Sequence, residues 1–325
     1  MKKDYYHYQK CINETLAILE ANPKWKDSYI KYAEDIIRNK DCYSKETKRI
    51  KGSGTLPMYS AISRLKKLPF TSDLRYGGKS VGEILFETTI KIRTNKDITY
   101  NKEISRNTWY EWNSKEAQCI RKYFKEGKEP AKYNEHFVES RMLSEFKKKS
   151  RKEKALPNVR PVCLGGLFFQ FTTPLKASSK EPMMAKAARG GGIDILARIK
   201  TKNKSKPFNL AVIELKDENK NKEPQCAVMS QAIIYATFVA SLLRSKGGKM
   251  WWQLFRERKE AKVPKDLDIY VVTLMPEGDS EEGYLGNLKI KELSVTFHLC
   301  TLYYKYNQSD NSISFSGTLK EELLP

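Results

Sequence analysis

Apolar residues recur at helical spacing in the first part of the chain. Three stretches place an apolar side chain every three or four residues: "INETLAILEAN" (12–22), "DSYIKYAEDIIRN" (27–39) and "MYSAISRLKKL" (58–68). This spacing predicts amphipathic helices. Ser80 and Glu83 have the spacing of a capping box, which predicts a further helix that begins there. Residues 1–130 are therefore expected to form a mainly helical accessory region.

The pattern changes after residue 130. A helix is predicted over 135–154, and short apolar runs between turn-forming residues then predict strands. The predicted strands cover 163–175, 192–200, 208–216 and 267–276, and a long apolar helix covers 224–245. The segments 293–306 and 312–319 have the pattern of a terminal hairpin. The order helix, three strands, helix, strand indicates an α/β domain with a mixed sheet over residues 131–325.

The charge of the chain narrows the classes of partner. Its 325 residues include 60 Lys and Arg but only 39 Asp and Glu, which gives a formal charge of +21. Such an excess favours polyanionic partners, with nucleic acid first and an acidic membrane surface second. The apolar run at 231–243 is shorter than the roughly 20 residues that cross a bilayer, so no membrane span is expected. No secretory signal is evident, and a cytoplasmic location is the default expectation.

The cysteines and histidines argue against several kinds of site. Six cysteines lie far apart without a C-x-x-C pair, and there are only three histidines. This distribution disfavours a disulfide framework, a thiolate zinc site and a Cys–His nucleophile pair.

One charged pair stands out because of the strand that carries it. Glu214 and Lys216 follow the β-branched run "AVI" in a predicted strand, where side chains alternate between faces, so the two point the same way. The same Glu-x-Lys spacing at Glu46, Glu126, Glu145, Glu218, Glu257 and Glu260 lies in polar surroundings. Asp194 is a lone carboxylate between Ile193 and Ile195 on the preceding strand. If the two strands form a hairpin, Asp194 lies beside Glu214.

Two adjacent carboxylates predict a bound cation. They raise each other's pKa unless a cation lies between them. Mg²⁺ suits such a pair, because it binds one or two carboxylates, a backbone carbonyl, waters and a substrate phosphate. The backbone carbonyl here would be that of Leu215. Lys216 could then orient or help to deprotonate the attacking water and stabilise charge on the phosphate. The alternative is a structural ion pair, worth about 0 to 1 kcal/mol if exposed.

An Asp on one strand, a Glu-x-Lys on the next and the αβββαβ order resemble the PD-(D/E)XK nuclease superfamily, which has the restriction-endonuclease-like fold. Gln231 and Tyr235 on the following helix resemble the Gln-x-x-x-Tyr element of its RecB-like branch. The likeness covers roughly residues 133–277, and Ile193 stands where the family name has Pro. A Tyr on an apolar helix is otherwise more typical of a core.

The resemblance implies a metal-dependent nuclease. Asp194, Glu214 and the Leu215 carbonyl would hold Mg²⁺ or Mn²⁺, Lys216 would serve the water and the transition state, and Gln231 would support the site. The helix before the strands would supply a further acid, for which Glu139 has the best spacing and Glu135 and Glu145 are alternatives. The expected reaction is hydrolysis of phosphodiester bonds by a metal-activated water, with DNA favoured over RNA.

Other functions remain open at this level. A non-catalytic nucleic-acid-binding or assembly protein could keep the same fold, and a nuclease subunit of a restriction or defence system would use the same chemistry. A homodimer is possible. The basic runs at 145–154 and 199–206 flank the predicted site and could contact phosphates, although such runs are usually solvated surfaces.

Overall fold

The chain forms two compact units. The computed structural model describes residues 2–34, 36–37, 58–61, 69–76, 79–125, 135–147, 155–164, 167–168, 171–177, 182–184, 191–202, 208–218, 223–256, 262–278, 283–307 and 312–323. Unit A comprises Met1–Ala33, Glu145–Val162 and Gln170–Pro325, and unit B comprises Glu34–Ser144 and Cys163–Phe169. These units differ from the expected division after residue 130, because the first helices belong with the large sheet of unit A. The predicted elements over 38–39, 62–68 and 148–154, and the basic run 203–206, lie outside the described residues.

Pairs of helices separate blocks of consecutive strands in the described chain, and the fold is mixed α/β. The helices are α1 (Lys2–Ala21), α2 (24–34 and 36–37), α3 (Lys115–Lys125), α4 (Glu135–Lys147), α5 (Gln225–Arg244), α6 (Gly248–Arg256) and α7 (Thr318–Glu322). A 3₁₀ turn covers Lys291–Leu293. The helices α1, α2, α4 and α5 match the elements predicted from apolar spacing.

Unit B is built around an antiparallel sheet. Its five strands, in the order β1-β2-β3-β4-β7, are β1 (Met58–Ala61), β2 (Phe70–Tyr76), β3 (Lys79–Phe86), β4 (Ile90–Thr94) and β7 (Tyr110–Glu111). Two short pairs accompany it, namely β5 (Ile98–Thr99) with β6 (Glu103–Ile104), and β9 (Cys163–Leu164) with β10 (Leu167–Phe168).

The prediction of a mainly helical region is therefore wrong over residues 58–61 and 80–93. Burial in β4 alternates strictly from Ile90 to Thr94, which is the period of a strand with one buried face. The Ser80 hydroxyl donates to Asp73 on the neighbouring strand instead of capping a helix. The capping-box spacing therefore occurred by chance on two positions of one strand, β3.

Unit A contains a seven-stranded mixed sheet. Its order is β18-β19-β17-β16-β15-β8, and β20 also pairs with β19. The strands are β8 (Val159–Pro161), β15 (Ile195–Ile199), β16 (Asn209–Leu215), β17 (Leu267–Pro276), β18 (Asn287–Ile290), β19 (Val295–Asn307) and β20 (Ser312–Ser316). Pairing is parallel between β16 and β17 and between β17 and β19, and it is antiparallel elsewhere in this sheet. The predicted terminal hairpin is β19 with β20.

The strand predicted over 163–175 is wrong. The first strand of the large sheet is instead β8, at Val159–Pro161. The segment 163–175 carries β9 and β10 in unit B, and in unit A it carries β11 (Phe171–Thr172) and the start of β12 (Leu175–Lys176). β11 pairs with β14 (Gly192–Ile193) and β12 with β13 (Met183–Met184). A Gly-Gly step and Pro174 interrupt this segment, and such residues favour breaks over one continuous strand.

Helices cover both faces of the large sheet. The Tyr303 hydroxyl of β19 donates to Oε1 of Gln225 at 2.8 Å, so α5 lies on the face to which Tyr303 points. Tyr304 points to the opposite face, together with its cross-strand partner Phe315, whose ring stacks on Phe146 of α4. Side chains alternate along a strand, which places α5 and the end of α4 that belongs to unit A, residues 145–147, on opposite sides of the sheet.

α5 is the central helix of unit A. Its 20 residues are long and apolar enough to cross a membrane by length and composition, yet 83% of its most apolar window is buried inside the protein. α1 packs against it, and Nε2 of His7 lies 3.0 Å from the Ser230 hydroxyl. Burial of this kind is typical of a core helix.

Candidate active site

Asp194 stands where two strands of unit A meet. It separates β14 from β15, and the next residue, Ile195, pairs with Ile213 of β16. Its carboxylate Oδ2 accepts a hydrogen bond from the Leu215 backbone N–H at 2.9 Å. The antiparallel pairing thus brings Asp194 to the end of β16, as the predicted hairpin requires.

Glu214 and Lys216 occupy that same strand end. The Lys216 N–H donates to the Leu274 carbonyl at 3.0 Å, so the parallel pairing of β16 with β17 extends past Leu215. The Lys216 ammonium Nζ lies 3.5 Å from Oε1 of Glu214, and their side chains are 19% and 8% exposed. A charged pair this buried loses much of its hydration, and its attraction offsets that loss only with good geometry.

A second glutamate, Glu223, completes the surroundings of Lys216. Its Oε2 lies 3.5 Å from the Lys216 ammonium and accepts a hydrogen bond of 3.3 Å from the Gln231 side-chain amide. Gln231 is therefore linked to Lys216 through one carboxylate oxygen. Sequence reasoning missed Glu223, because it lies in a polar stretch, directly before Pro224 at the start of α5.

Tyr235 lies beside the two carboxylates. The pKa of its hydroxyl is raised, first by burial and then by the negative charges of Glu214 and Asp194, while a hydrogen bond with the Ala177 backbone acts in the opposite direction. The sequence alone favoured a core role for this residue. It is buried as a core residue is, and it also experiences the charges of the site.

Gly191 is required by the packing around Tyr235. A Cβ at this position would overlap the Tyr235 hydroxyl and would lie 2.9 Å from the Leu175 carbonyl oxygen. Gly191 lies in the glycine run that precedes Asp194. Because it has no side chain, its backbone can pass directly against the Tyr235 hydroxyl.

Thr273 is a further polar group at this strand end. It is the β17 register partner of Glu214, and in-register residues of parallel strands point to the same face. Its side chain is fully buried, and its hydroxyl has no hydrogen-bond partner among the described residues. Buried hydroxyls are normally satisfied, so this one is a polar group on the same face as Glu214 that an oxygen ligand could satisfy.

The upstream acids divide between the two units. Glu139 is buried in α4 and, with Glu135, belongs to unit B. Glu145 belongs to unit A, where its Oε1 accepts a hydrogen bond from the Ala155 N–H at 2.9 Å. Glu145 thus has a structural role at the end of α4, and the contribution of Glu139 to the site stays a prediction.

The donor set at the strand end fits a hard divalent cation. Across the described ranges, no group of three or more His, Cys, Asp and Glu side chains is arranged to hold a metal. Two carboxylates and a backbone carbonyl are nevertheless the protein ligands that Mg²⁺ commonly uses, since it keeps several waters and shares substrate phosphates. Asp194 and Glu214 supply the carboxylates, and the unsatisfied Thr273 hydroxyl could accommodate one of those waters.

Comparison with known proteins provides no relative from which a function could be assigned. No protein-family model matches the sequence, no curated protein resembles it significantly, and no solved structure matches the fold significantly.

Proposed function

We propose that the chain is a metal-dependent nuclease that hydrolyses phosphodiester bonds, with DNA as the favoured substrate. The observation that carries the proposal is the meeting of Asp194 with Glu214 and Lys216 at one strand end of unit A. Two carboxylates, an ammonium group and a buried hydroxyl are the groups needed to bind a divalent cation and a phosphate.

The arrangement of strands supports the same function. In unit A, β8, β15, β16 and β17 lie side by side in chain order, and the connection from β16 to β17 contains α5 followed by the shorter α6. This is the order expected for the restriction-endonuclease-like core, with the site at the ends of the second and third strands. The excess of 21 positive charges supports a polyanionic substrate.

Each side chain has a distinct role in the proposed reaction. Asp194, Glu214 and the Leu215 carbonyl would hold Mg²⁺ or Mn²⁺, which supplies Lewis acidity and lowers the pKa of water. Lys216 would stabilise the charge that develops on the phosphate as water adds to phosphorus and a sugar oxygen leaves.

Glu223 and Gln231 would act through Lys216 rather than on the phosphate itself. The Glu223 oxygen that contacts the ammonium also accepts the Gln231 hydrogen bond, so the two residues restrict where the flexible lysine can lie. Tyr235 and Gly191 would fix the segment that carries Asp194.

A cleavage assay tests the proposal. Purified protein is incubated with linear duplex, circular duplex and single-stranded DNA and with RNA, each in Mg²⁺, Mn²⁺ or EDTA. The proposal predicts cleavage in the presence of either metal, none in EDTA and none by Asp194→Asn. Cleavage that survives both EDTA and Asp194→Asn would show a contaminant or another site. Binding of nucleic acid without cleavage would favour the non-catalytic alternative.

A further inference from the structure

Like charges face each other across the outer strands of unit A. Arg160 of β8 and Arg198 of β15 are direct cross-strand partners, so their side chains share a face. β8 is the last strand at this side of the sheet. Like charges directly opposite each other destabilise a sheet, so the pair indicates a benefit other than stability.

Two more cations lie near the pair, and both contact the ring of Phe208. The Lys200 ammonium lies 5.1 Å from the centre of the Phe208 ring, and the Arg256 guanidinium lies 5.5 Å from it. The Arg198 guanidinium is 3.5 Å from the Arg256 carbonyl at the end of α6. The four residues Arg160, Arg198, Lys200 and Arg256 are called the basic edge below; Lys200 and Arg256 contact Phe208, and Arg198 links Arg256 to Arg160. All four cations are at least partly exposed.

The basic edge lies on the same face of the sheet as the candidate site. Side chains alternate along a strand, so Asp194, Arg198 and Lys200 point the same way from β15 and the residues next to it. A strand rises about 3.3 Å per residue, which places Lys200 about 20 Å from Asp194. Phosphates of one DNA strand repeat about every 3.4 Å along the helix axis, so this separation equals about six base pairs.

We propose that the basic edge binds the phosphates of a nucleic acid duplex about six base pairs from the bond that is cleaved. The choice of substrate rests on the proposed function. The surroundings favour nucleic acid over a membrane, because Phe208 is covered by Lys200 and Arg256. Moreover, none of the large apolar side chains exposed in the described part of the chain, namely Tyr5, Tyr6, Ile37, Met183 and Leu285, belongs to the basic edge. A surface that inserts into lipid presents apolar side chains beside its cations.

A binding assay without metal tests this proposal separately from catalysis. The probe is a 30-base-pair duplex labelled with fluorescein, and its anisotropy is measured in EDTA over a series of NaCl concentrations. The double variant Arg160→Gln, Lys200→Gln is expected to bind at least about 10-fold more weakly at low salt. Its plot of log K against log salt should be less steep by about 2, since each lost phosphate contact lowers the slope by about 0.9.

A matched control removes the same charge elsewhere. Lys10 and Lys305 are 66% and 72% exposed and make only exposed ion pairs, so Lys10→Gln, Lys305→Gln should leave the salt slope within about 0.5 of wild type. Thermal unfolding establishes that both double variants are folded. Equal losses in the two variants would overturn the proposal, as would binding of phosphatidylserine vesicles but not of the duplex.

The length of the duplex provides a second readout. Shortening the DNA from 30 to 5 base pairs, closed by a hairpin loop so that it stays paired, should reduce the difference between wild type and the Arg160→Gln, Lys200→Gln variant. A duplex of 5 base pairs is about 17 Å long and cannot reach both the site and the basic edge, which are about 20 Å apart. A difference that persists unchanged at 5 base pairs would contradict the predicted span. If the binding results hold but no substrate is cleaved in Mg²⁺ or Mn²⁺, the basic edge stands and the nuclease proposal fails.

Discussion

Each unit has a glutamate paired with a cation on its main sheet, and the two pairs differ in their surroundings. In unit B, Glu83 and Arg93 are cross-strand partners whose side chains are 36% and 33% exposed. In unit A, Glu214 is only 8% exposed, and its partner Lys216 follows it on the same strand end. Asp194 reaches that strand end as well. Glu83 also has a carboxylate opposite it, Asp73 of β2, whose Oδ1 accepts a hydrogen bond from the Ser80 hydroxyl, so the two pairs differ mainly in their burial.

The difference separates a structural pair from a candidate functional one. An exposed pair costs little to form and contributes about 0 to 1 kcal/mol. A buried pair loses hydration that its own attraction barely offsets, and a nearby second carboxylate adds repulsion. The free-energy cost at Glu214 is therefore better explained by a ligand that the site binds than by stability of the fold.

The largest expected effect is at the two carboxylates. Asp194→Asn and Glu214→Gln keep the shape of each side chain but remove a metal ligand, which should lower the cleavage rate by at least about 1,000-fold because metal catalysis supplies several kcal/mol. Single-turnover cleavage in Mg²⁺ measures the effect. A Glu214→Gln variant that cleaves at the wild-type rate would show that Glu214, like Glu83, has only a structural role.

The two paired cations, Lys216 and Arg93, should differ almost as strongly in their effect on the cleavage rate. Lys216→Met is expected to reduce the single-turnover rate by about 100- to 1,000-fold, the usual cost of removing one group that stabilises transition-state charge. Arg93→Met in unit B is the matched control, and its rate should equal that of wild type. Equal losses in both variants would indicate a general effect on folding, which urea unfolding of each variant would reveal.

The next effect is expected on the stability of the fold, at the packing contact between Gly191 and Tyr235. Gly191→Ala should lower the free energy of unfolding by about 1–3 kcal/mol, because the new methyl group overlaps the Tyr235 hydroxyl and crowds the Leu175 carbonyl. Adding Tyr235→Phe should restore part of the loss. Gly283→Ala is the control, since its Cβ would meet only the Tyr8 hydroxyl, at 3.6 Å. Urea unfolding that shows equal stability for both alanine variants would contradict the packing described here.

Glu223 should have a smaller effect on the rate. Glu223→Gln keeps a polar group beside Gln231 but loses the charge that holds Lys216, and Glu223 is about one-third exposed. Because solvent weakens this charged hydrogen bond, we expect the cleavage rate to fall by about 5- to 10-fold. The loss should fall on kcat and should vanish when Lys216→Met is already present. Glu218→Gln, an exposed neighbour, should change nothing. If the losses in cleavage rate from Glu223→Gln and Lys216→Met were additive in the double variant, Glu223 would not act through Lys216.

The smallest effect is expected at the exposed pair. Glu83→Gln should change the free energy of unfolding by no more than about 1 kcal/mol and leave cleavage unchanged. Chemical denaturation and the single-turnover assay measure the two quantities. A loss of cleavage in a folded Glu83→Gln variant would contradict the contrast between the two pairs.

The strands around the candidate site were predictable because they are short apolar runs, rich in β-branched residues and bounded by turn-forming residues. The apolar residues of β15, β16 and β17 predicted these three strands. The isolated position of Asp194 between two isoleucines predicted that it lies beside β16. Unit B was misassigned because β3 contains apolar residues three and four positions apart, at Val81, Ile84 and Leu85, and the step from the end of β3 at Phe86 to the start of β4 at Ile90 keeps this spacing. In such a window, the helical and strand periods coincide at several positions.

Contacts between distant segments explain what the sequence could not supply. Glu223 contacts Lys216 only in the folded chain, and nothing in a polar stretch marks one glutamate among its neighbours. Thr273 in an apolar strand carries no signal until β17 is known to lie in register with Glu214. Likewise, the Arg160–Arg198 pair depends on a register that local patterns do not specify.

Binding of Mn²⁺ tests the central claim most directly. Titration of the protein with Mn²⁺, followed by electron paramagnetic resonance of the free ion, compares wild type with Asp194→Asn, Glu214→Gln and Glu83→Gln in the absence of nucleic acid. The account predicts one site in wild type and Glu83→Gln that is lost or weakened at least about 10-fold in the other two variants. Identical Mn²⁺ binding by all four proteins would contradict it.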